Sequence, residues 1–332
     1  MLRLTEARVR SWADEHGLTD LLLAELDYRL VQALDAIYGD NFLRERLCMK
    51  GGTAINKLYL KETSRLSVDL DFNHIGSKEQ VSEEKKNLRE KITELLKAQD
   101  PSYNIRTKRK YEQTTLKIGY RAVVGAPQNF KLEISHIERF PILGLVEKQL
   151  ETFEGKFTIA TYQLEELMAT KLRALFERLK GRDVYDLYFV SKLKPEPIST
   201  RKLFLYYFYR SKKVFNPKVY FRNLSEKYES ERYVDDVSKF VKPSVQFSLK
   251  AVTTQVMSYY SFLEELDERD EDFLALARLL LGGQIAKKRL PVIKQIKYPL
   301  KHLFKNLQIS QVAKEITTDQ IKIYPKRKKH KP

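Results

Sequence analysis

Residues 67–72 read Ser-Val-Asp-Leu-Asp-Phe, with Val68, Leu70 and Phe72 alternating strictly with Asp69 and Asp71. A period of two fits an extended strand, with three apolar side chains on one face and both carboxylates on the other. Upstream, "MKGG" at Met49–Gly52 runs into "TAINKLYL", where Ile55, Leu58 and Tyr59 recur at helical spacing. Adjacent glycines permit a positive φ or a close backbone approach. At a helix N-terminus, Gly51, Gly52 and Thr53 would offer backbone N–H groups to a phosphate, and the Thr hydroxyl can donate as well. As a bare tight turn the pair would be unremarkable. It is no Walker A loop, because Lys50 precedes the glycines and the Gly-Lys-Ser/Thr ending is absent.

The pattern around this motif predicts helices over 5–16 and 20–38, capped by Thr5 and Thr19 and stopped by Gly17 and Gly39. "RERLCMK" reads as a short strand delivering the glycines, and Ser77 to Ala98 as a charged amphipathic helix. "YNIRTKRKY", "TTLKIGYRAVV" and "FKLEISHI" read as strands separated by turn formers. A helix from Gln163 to Leu179, a break at Gly181 and a helix through "RDVYDLYFVSKL" follow. "KPEP" at 194–197 reads as a linker, dividing the chain into residues 1–195 and a mainly helical 196–332. The order predicts an α+β fold, a mixed sheet with flanking helices followed by a helical region.

Charge bears on partners. The 332 residues carry a formal net charge of +17, which favours a polyanion. From Gln284 to Pro332 there are 14 Lys/Arg against Glu315 and Asp319, ending in "KRKKHK". Within that segment Lys294, Lys297 and Lys301 are interspersed with Leu290, Ile293, Ile296 and Leu300, which can anchor them. These lysines are candidate contacts to a nucleic acid. Cys48 is the only cysteine, so an intrachain disulfide framework is excluded and a reducing compartment is expected. "MLRLTEARVRSW" has no apolar stretch of the secretory kind. "LFLYYFY" and "FLALARLLL" are too short to span a bilayer. The expectation is a soluble cytoplasmic protein with no membrane partner. The five histidines show no metal spacing, and no Ser-His-Asp arrangement stands out.

Paired carboxylates on one strand face repel, and a hard cation such as Mg²⁺ resolves that repulsion with oxygen ligands and substrate phosphates. Glu133, between Leu132 and Ile134, is the third candidate, either a metal ligand or a solvent-facing acid paired with Lys131 or Arg121. Two metals bridged by such acids can activate a hydroxyl and stabilise a leaving pyrophosphate. In the predicted helix Leu164, Leu167, Met168, Leu172, Leu175 and Leu179 form one stripe, with Lys171 and Arg178 toward one side of it and Arg173 opposite. A lysine aimed at a core either snorkels or meets an anion. A triphosphate would be one such anion, with Arg178 or Arg182 as a fork. Asp183 and Asp186, three residues apart, either cap and pair with arginine, orient Lys171, or take a proton from an acceptor hydroxyl.

Taken in order, "MKGGTAINKLYL…RLSVDLDF", "KLEIS" and "MATKLRALFERLKGRDVYDLYF" resemble the AbiEii/AbiGii nucleotidyltransferase family, relatives of the MenT toxins, over roughly Leu47 to Phe189. The resemblance implies a polymerase-beta-like nucleotidyltransferase core and the toxin half of a type IV toxin–antitoxin or abortive-infection system. It implies NTP as substrate, Mg²⁺ at Asp69 and Asp71, Gly52 and Thr53 at the family's Gly-Ser-type position, and Lys171 on the triphosphate. The acids of "RDVYD" would belong to the last catalytic motif. An RNA acceptor, in some members the 3′ end of tRNA, and a cognate antitoxin encoded nearby are further expectations. Thr53 replaces the more common Ser, and Glu133 stands where Asp is frequent. The competing expectations are a nucleic-acid-binding protein with a degenerate core, or transfer to a protein or small molecule.

Overall fold

The computed structural model describes residues 4–60, 65–153, 155–227, 237–238, 240–241, 248–284, 287, 290–296, 298–310 and 313–314. Lys297 and the "KRKKHK" tail lie outside the described residues. The chain opens with helices α1 (Glu6–His16) and α2 (Leu21–Gly39). Thr5 caps α1 by accepting the Arg8 N–H, and Gly17 ends it in the left-handed region at φ 63°. Asp20, not Thr19, caps α2, its carboxylate accepting the Leu22 and Leu23 amides at 2.8 and 3.2 Å. The charged acceptor is the stronger cap.

Asp40 accepts the Leu43 amide and starts a third helix, α3 (Asn41–Arg46). The expected strand is thereby shortened to β1 (Leu47–Lys50). Helix α4 (Gly51–Ala54) follows at once and widens into a π-type turn, Ile55–Leu60, where the Asn56 amide reaches back to the Gly52 carbonyl at 2.7 Å. Then come β2 (Asp69–His74) and α5 (Lys78–Gln99), whose start is fixed by reciprocal bonds between Ser77 and Gln80. Strands β3 (Asn104–Arg109), β4 (Gln113–Arg121) and β5 (Pro127–Ser135) match the alternating segments.

A hairpin of β6 (Leu145–Thr152) and β7 (Gly155–Tyr162) completes a seven-stranded sheet of order β3-β4-β5-β2-β1-β7-β6. The sheet is mixed: β2 is parallel to β5, β1 is parallel to β7, and the other pairs are antiparallel. Leu70, Phe72, Leu116, Ile118, Leu132 and Ile134 on one face are fully buried in a core shared with α2 and α5. Each such burial stabilises the fold by roughly 2 kcal/mol. The opposite face carries the acids.

Helices α6 (Leu164–Arg178) and α7 (Gly181–Ser191) flank the acidic side. The break between them falls at Leu179, at φ 51°, and Gly181 is the first residue of α7. "KPEP" becomes a helix start. Glu196 accepts the Ile198 and Ser199 amides, and Pro197 opens α8 (Pro197–Arg210). Phe176 of α6 packs on Phe204, Phe215 and Phe221, so the core continues unbroken across residue 195. Beyond α9 (Pro217–Lys227) lie helices Leu249–Tyr259, Glu268–Leu280, Leu290–Gln295 and Pro299–Leu303. Among the described residues, no helix is long and apolar enough to cross a membrane.

Candidate active site

The site is built where β1, β2 and β5 adjoin. Asp71 lies opposite Lys50 on β1 and beside Glu133 on β5, and Asp69 lies beside Lys131. Directly after Lys50, Gly51 turns the chain at φ 75°, and a Cβ there would stand 2.3 Å from Asp71 Oδ2. Only glycine lets the backbone pass so close to that carboxylate. Thr53 is buried, and its hydroxyl donates to the Asp69 carbonyl, tying α4 to β2. Its proton is therefore committed within the protein rather than offered outward.

Burial pushes the Asp71 carboxyl up to about 6, with Glu133 and Asp69 adding to the rise and Lys50 and Lys171 opposing it. Among the described residues, neither the Asp69 nor the Asp71 carboxylate receives a hydrogen bond. Glu133 accepts the Gln113 side-chain amide at 2.7 Å and bonds neither Lys131 nor Arg121. Also among the described residues, no three acids, histidines or cysteines converge to hold a metal by themselves. Asp69 and Asp71 share this face, with Glu133 beside Asp71 in register.

Lys171 lies in the apolar stripe of α6, almost wholly buried, and its Nζ reaches Asp186 Oδ2 at 2.7 Å and Asp183 Oδ1 at 3.2 Å. Arg178 does not aim outward as a free fork, since it grips Asp183 with bonds of 2.7 Å from Nε and Nη2. Burial alone would raise the Asp183 carboxyl, but Lys171 and Arg178 hold it down at about 2. Asp186 is likewise lowered against its burial, chiefly by Arg65 and Lys171. The Arg182 guanidinium lies 5.3 Å from the Phe240 ring centre.

Two charged side chains bordering these groups escaped the sequence reading. Arg65 binds Asp186 bidentately at 2.9 Å through Nε and Nη2. A Cβ on Gly52 would meet Arg65 Nη2 at 2.8 Å, Asp186 Oδ2 at 3.4 Å and Lys171 Nζ at 3.5 Å. These charges therefore adjoin the Gly51–Gly52 backbone. The only local signal was a cation just before the acidic strand. Glu138 is the second: it bridges Lys50 at 3.2 Å and Arg173 at 2.9 Å. Burial would raise its carboxyl, yet those two cations hold it at about 2. Arg173 consequently faces a partner, not open solvent. Lys294 and Lys301 are exposed on short helices anchored by Ile293 and Leu300.

In fold the chain is similar to MenT4, a nucleotidyltransferase toxin from Mycobacterium tuberculosis H37Rv, with a TM-score of 0.63 and 20% identity over 91% of this chain and 99% of that one. The central strand of this sheet carries the carboxylate pair, beside a helix begun by Gly-Gly. Residues 32–273 match the family described as "Nucleotidyl transferase AbiEii toxin, Type IV TA system". The chain belongs to that family, the nucleotidyltransferase toxins of type IV toxin–antitoxin systems. No curated protein matches it in sequence.

Proposed function

We propose that the chain uses Mg²⁺ to transfer a nucleotide from an NTP to the 3′ end of tRNA in the cytoplasm, restrained by a cognate antitoxin encoded nearby. The observation that carries this reading is the Asp69–Asp71 pair, whose carboxylates receive no hydrogen bond among the described residues, with Asp71 set against Gly51. Mg²⁺ takes one or two carboxylates and completes its shell with water and phosphate oxygens, so a third converged acid is not required. Bound by Asp69 and Asp71, it would neutralise charge building on the leaving pyrophosphate. In this reading residues 1–195 carry the chemistry, and 196–332 serve contacts to acceptor and antitoxin.

The acceptor 3′-hydroxyl attacks the α-phosphorus as the bond to the bridging oxygen breaks and pyrophosphate leaves. Glu133, beside Asp71 in register, receives the hydroxyl proton. Asp183 and Asp186 are buried and already engaged by Lys171, Arg178 and Arg65, which lower both carboxyls. They hold Lys171, which has three N–H groups, two directed at these carboxylates and one left for a phosphate oxygen. Arg65, fixed by Asp186, and the α4 amides complete a cradle for the triphosphate.

The test is incubation with each labelled NTP, Mg²⁺ and total cellular RNA and protein. Label at RNA 3′ ends is the expected result, and Asp71→Ala should abolish it while remaining folded. Label on protein, or equal labelling by Asp71→Ala, would overturn the proposal.

A further inference from the structure

The strand register extends from the acids into an ordered line of cations. Asp69 pairs with Lys131, Lys131 with Lys117, and Lys117 with Arg106. Directly paired residues share a face of the sheet. One row of neighbours therefore runs from the acidic strand β2 across β5 and β4 to the edge strand β3. The adjacent row is Asp71, Glu133, Thr115 and Lys108. On the other side lie Asn129, Gly119 and Asn104. These rows carry no apolar side chain, while the reverse of β4 and β5 is buried at Leu116, Ile118, Leu132 and Ile134.

Arg106, Lys108, Lys117 and Lys131 are all exposed, and among the described residues none of them forms an ion pair. Neighbouring strands are about 4.8 Å apart, so the row from Lys131 to Arg106 spans about 10 Å. Like charges placed directly opposite one another destabilise a sheet. Asp69 faces only the Lys131 end of the row; with no ion pair to Lys117 or Arg106 among the described residues, a polyanion lying across the row would offset the repulsion.

We propose that Lys131, Lys117 and Arg106, with Lys108 beside them, form the track on which the phosphate backbone of the RNA acceptor lies, leading its end from the β3 edge to Asp69. The assignment rests on the proposed transfer to RNA. Charge complementarity selects a polyanion, and continuity with Asp69 selects the acceptor. The exposed lysines of the C-terminal helices share no such register with the acids.

The experiment uses the full chain and a short fluorescein-labelled single-stranded RNA, with anisotropy followed as a function of salt. Arg106→Ala/Lys117→Ala should lower the log–log salt slope by about 1.4, roughly 0.7 for each lost phosphate contact. Affinity should fall about tenfold or more at low salt, with binding of a fluorescent NTP in Mg²⁺ unchanged and the acceptor KM raised. Lys294→Ala/Lys301→Ala should leave the slope higher than that of the row variant. An unchanged slope in Arg106→Ala/Lys117→Ala overturns the track. So does wild-type RNA affinity at low salt in that variant. Failure of the transfer reading is read separately, as absence of label on RNA with wild-type protein, and the binding arm stands without it.

Discussion

Gly51 is a position where one methyl group separates an assembled site from a broken one. At φ 75° any other residue is strained by about 1 kcal/mol or more, and the added Cβ would drive into Asp71. Gly51→Ala should therefore reduce transfer at least about 100-fold, the scale of loss for a misplacement near 1 Å. Its thermal midpoint should fall only modestly. A variant transferring at the wild-type rate would remove Asp71 from the reacting centre. Lys171 carries the second prediction at this scale. The stripe alone implies that removing its charge relieves the core. The structure reverses that expectation, because Asp183 and Asp186 are fully buried around the ammonium. Lys171→Met should cost roughly 2–3 kcal/mol, somewhat below a buried pair broken outright, since Arg178 and Arg65 remain. Denaturant midpoints give the answer, and a variant as stable as wild type would contradict it. Asp69, Asp71 and Lys171 were legible because side-chain period exposes an acid or a cation in the wrong place. Arg65 was not, because its meaning comes from Asp186, 121 residues away.

Elements were legible where one face is buried and hidden where polar contacts replace apolar ones. In β6 the half-buried positions are Val146, Lys148, Leu150 and Thr152. Lys148 lies 4.6 Å over the Tyr59 ring, so the strand has no clean alternation to read. The loop before β6 is held by another such contact. Glu166 at the start of α6 accepts the Ile142 and Leu143 amides at 2.7 and 2.9 Å and the Tyr207 hydroxyl of α8. Burial pushes its carboxyl up to about 7 despite those three donors, from an ordinary 4.5. Between those values the folded protein keeps a proton that the unfolded chain has lost. The contribution is complete below the unfolded value and is lost as pH rises through about 7. Wild type should thus lose on the order of 2–3 kcal/mol between mildly acidic and mildly alkaline buffer, relative to Glu166→Gln. Urea titrations of both proteins across that range test it, and parallel pH profiles would show that Glu166 is not protonated in the fold.

Across the whole molecule, packing continues through residue 195. Aromatic contacts from α6 to α8 carry the core through it, and a charged clamp secures the next layer. Arg201 meets Asp270 at 2.7 Å, and Lys202 meets Asp267 and Asp270 at 2.8 and 3.0 Å. Asp270 is fully buried, so Asp270→Ala leaves two buried cations short of a partner and should cost about 3 kcal/mol. A shift in urea midpoint of that size is expected, and no shift would show the clamp to be dispensable. The helical nature of this half was legible from apolar period, but its attachment was not, because the clamp joins residues far apart in sequence. A last consequence follows from the row on β3. That strand is one edge of the sheet, where unpaired backbone groups invite another strand to add. Arg106, Lys108 and Arg109 hold such a strand off by charge, so the same side chains also govern colloidal behaviour. Replacing them with valine would leave a β-prone edge without its guard, and the protein would self-associate into sheets.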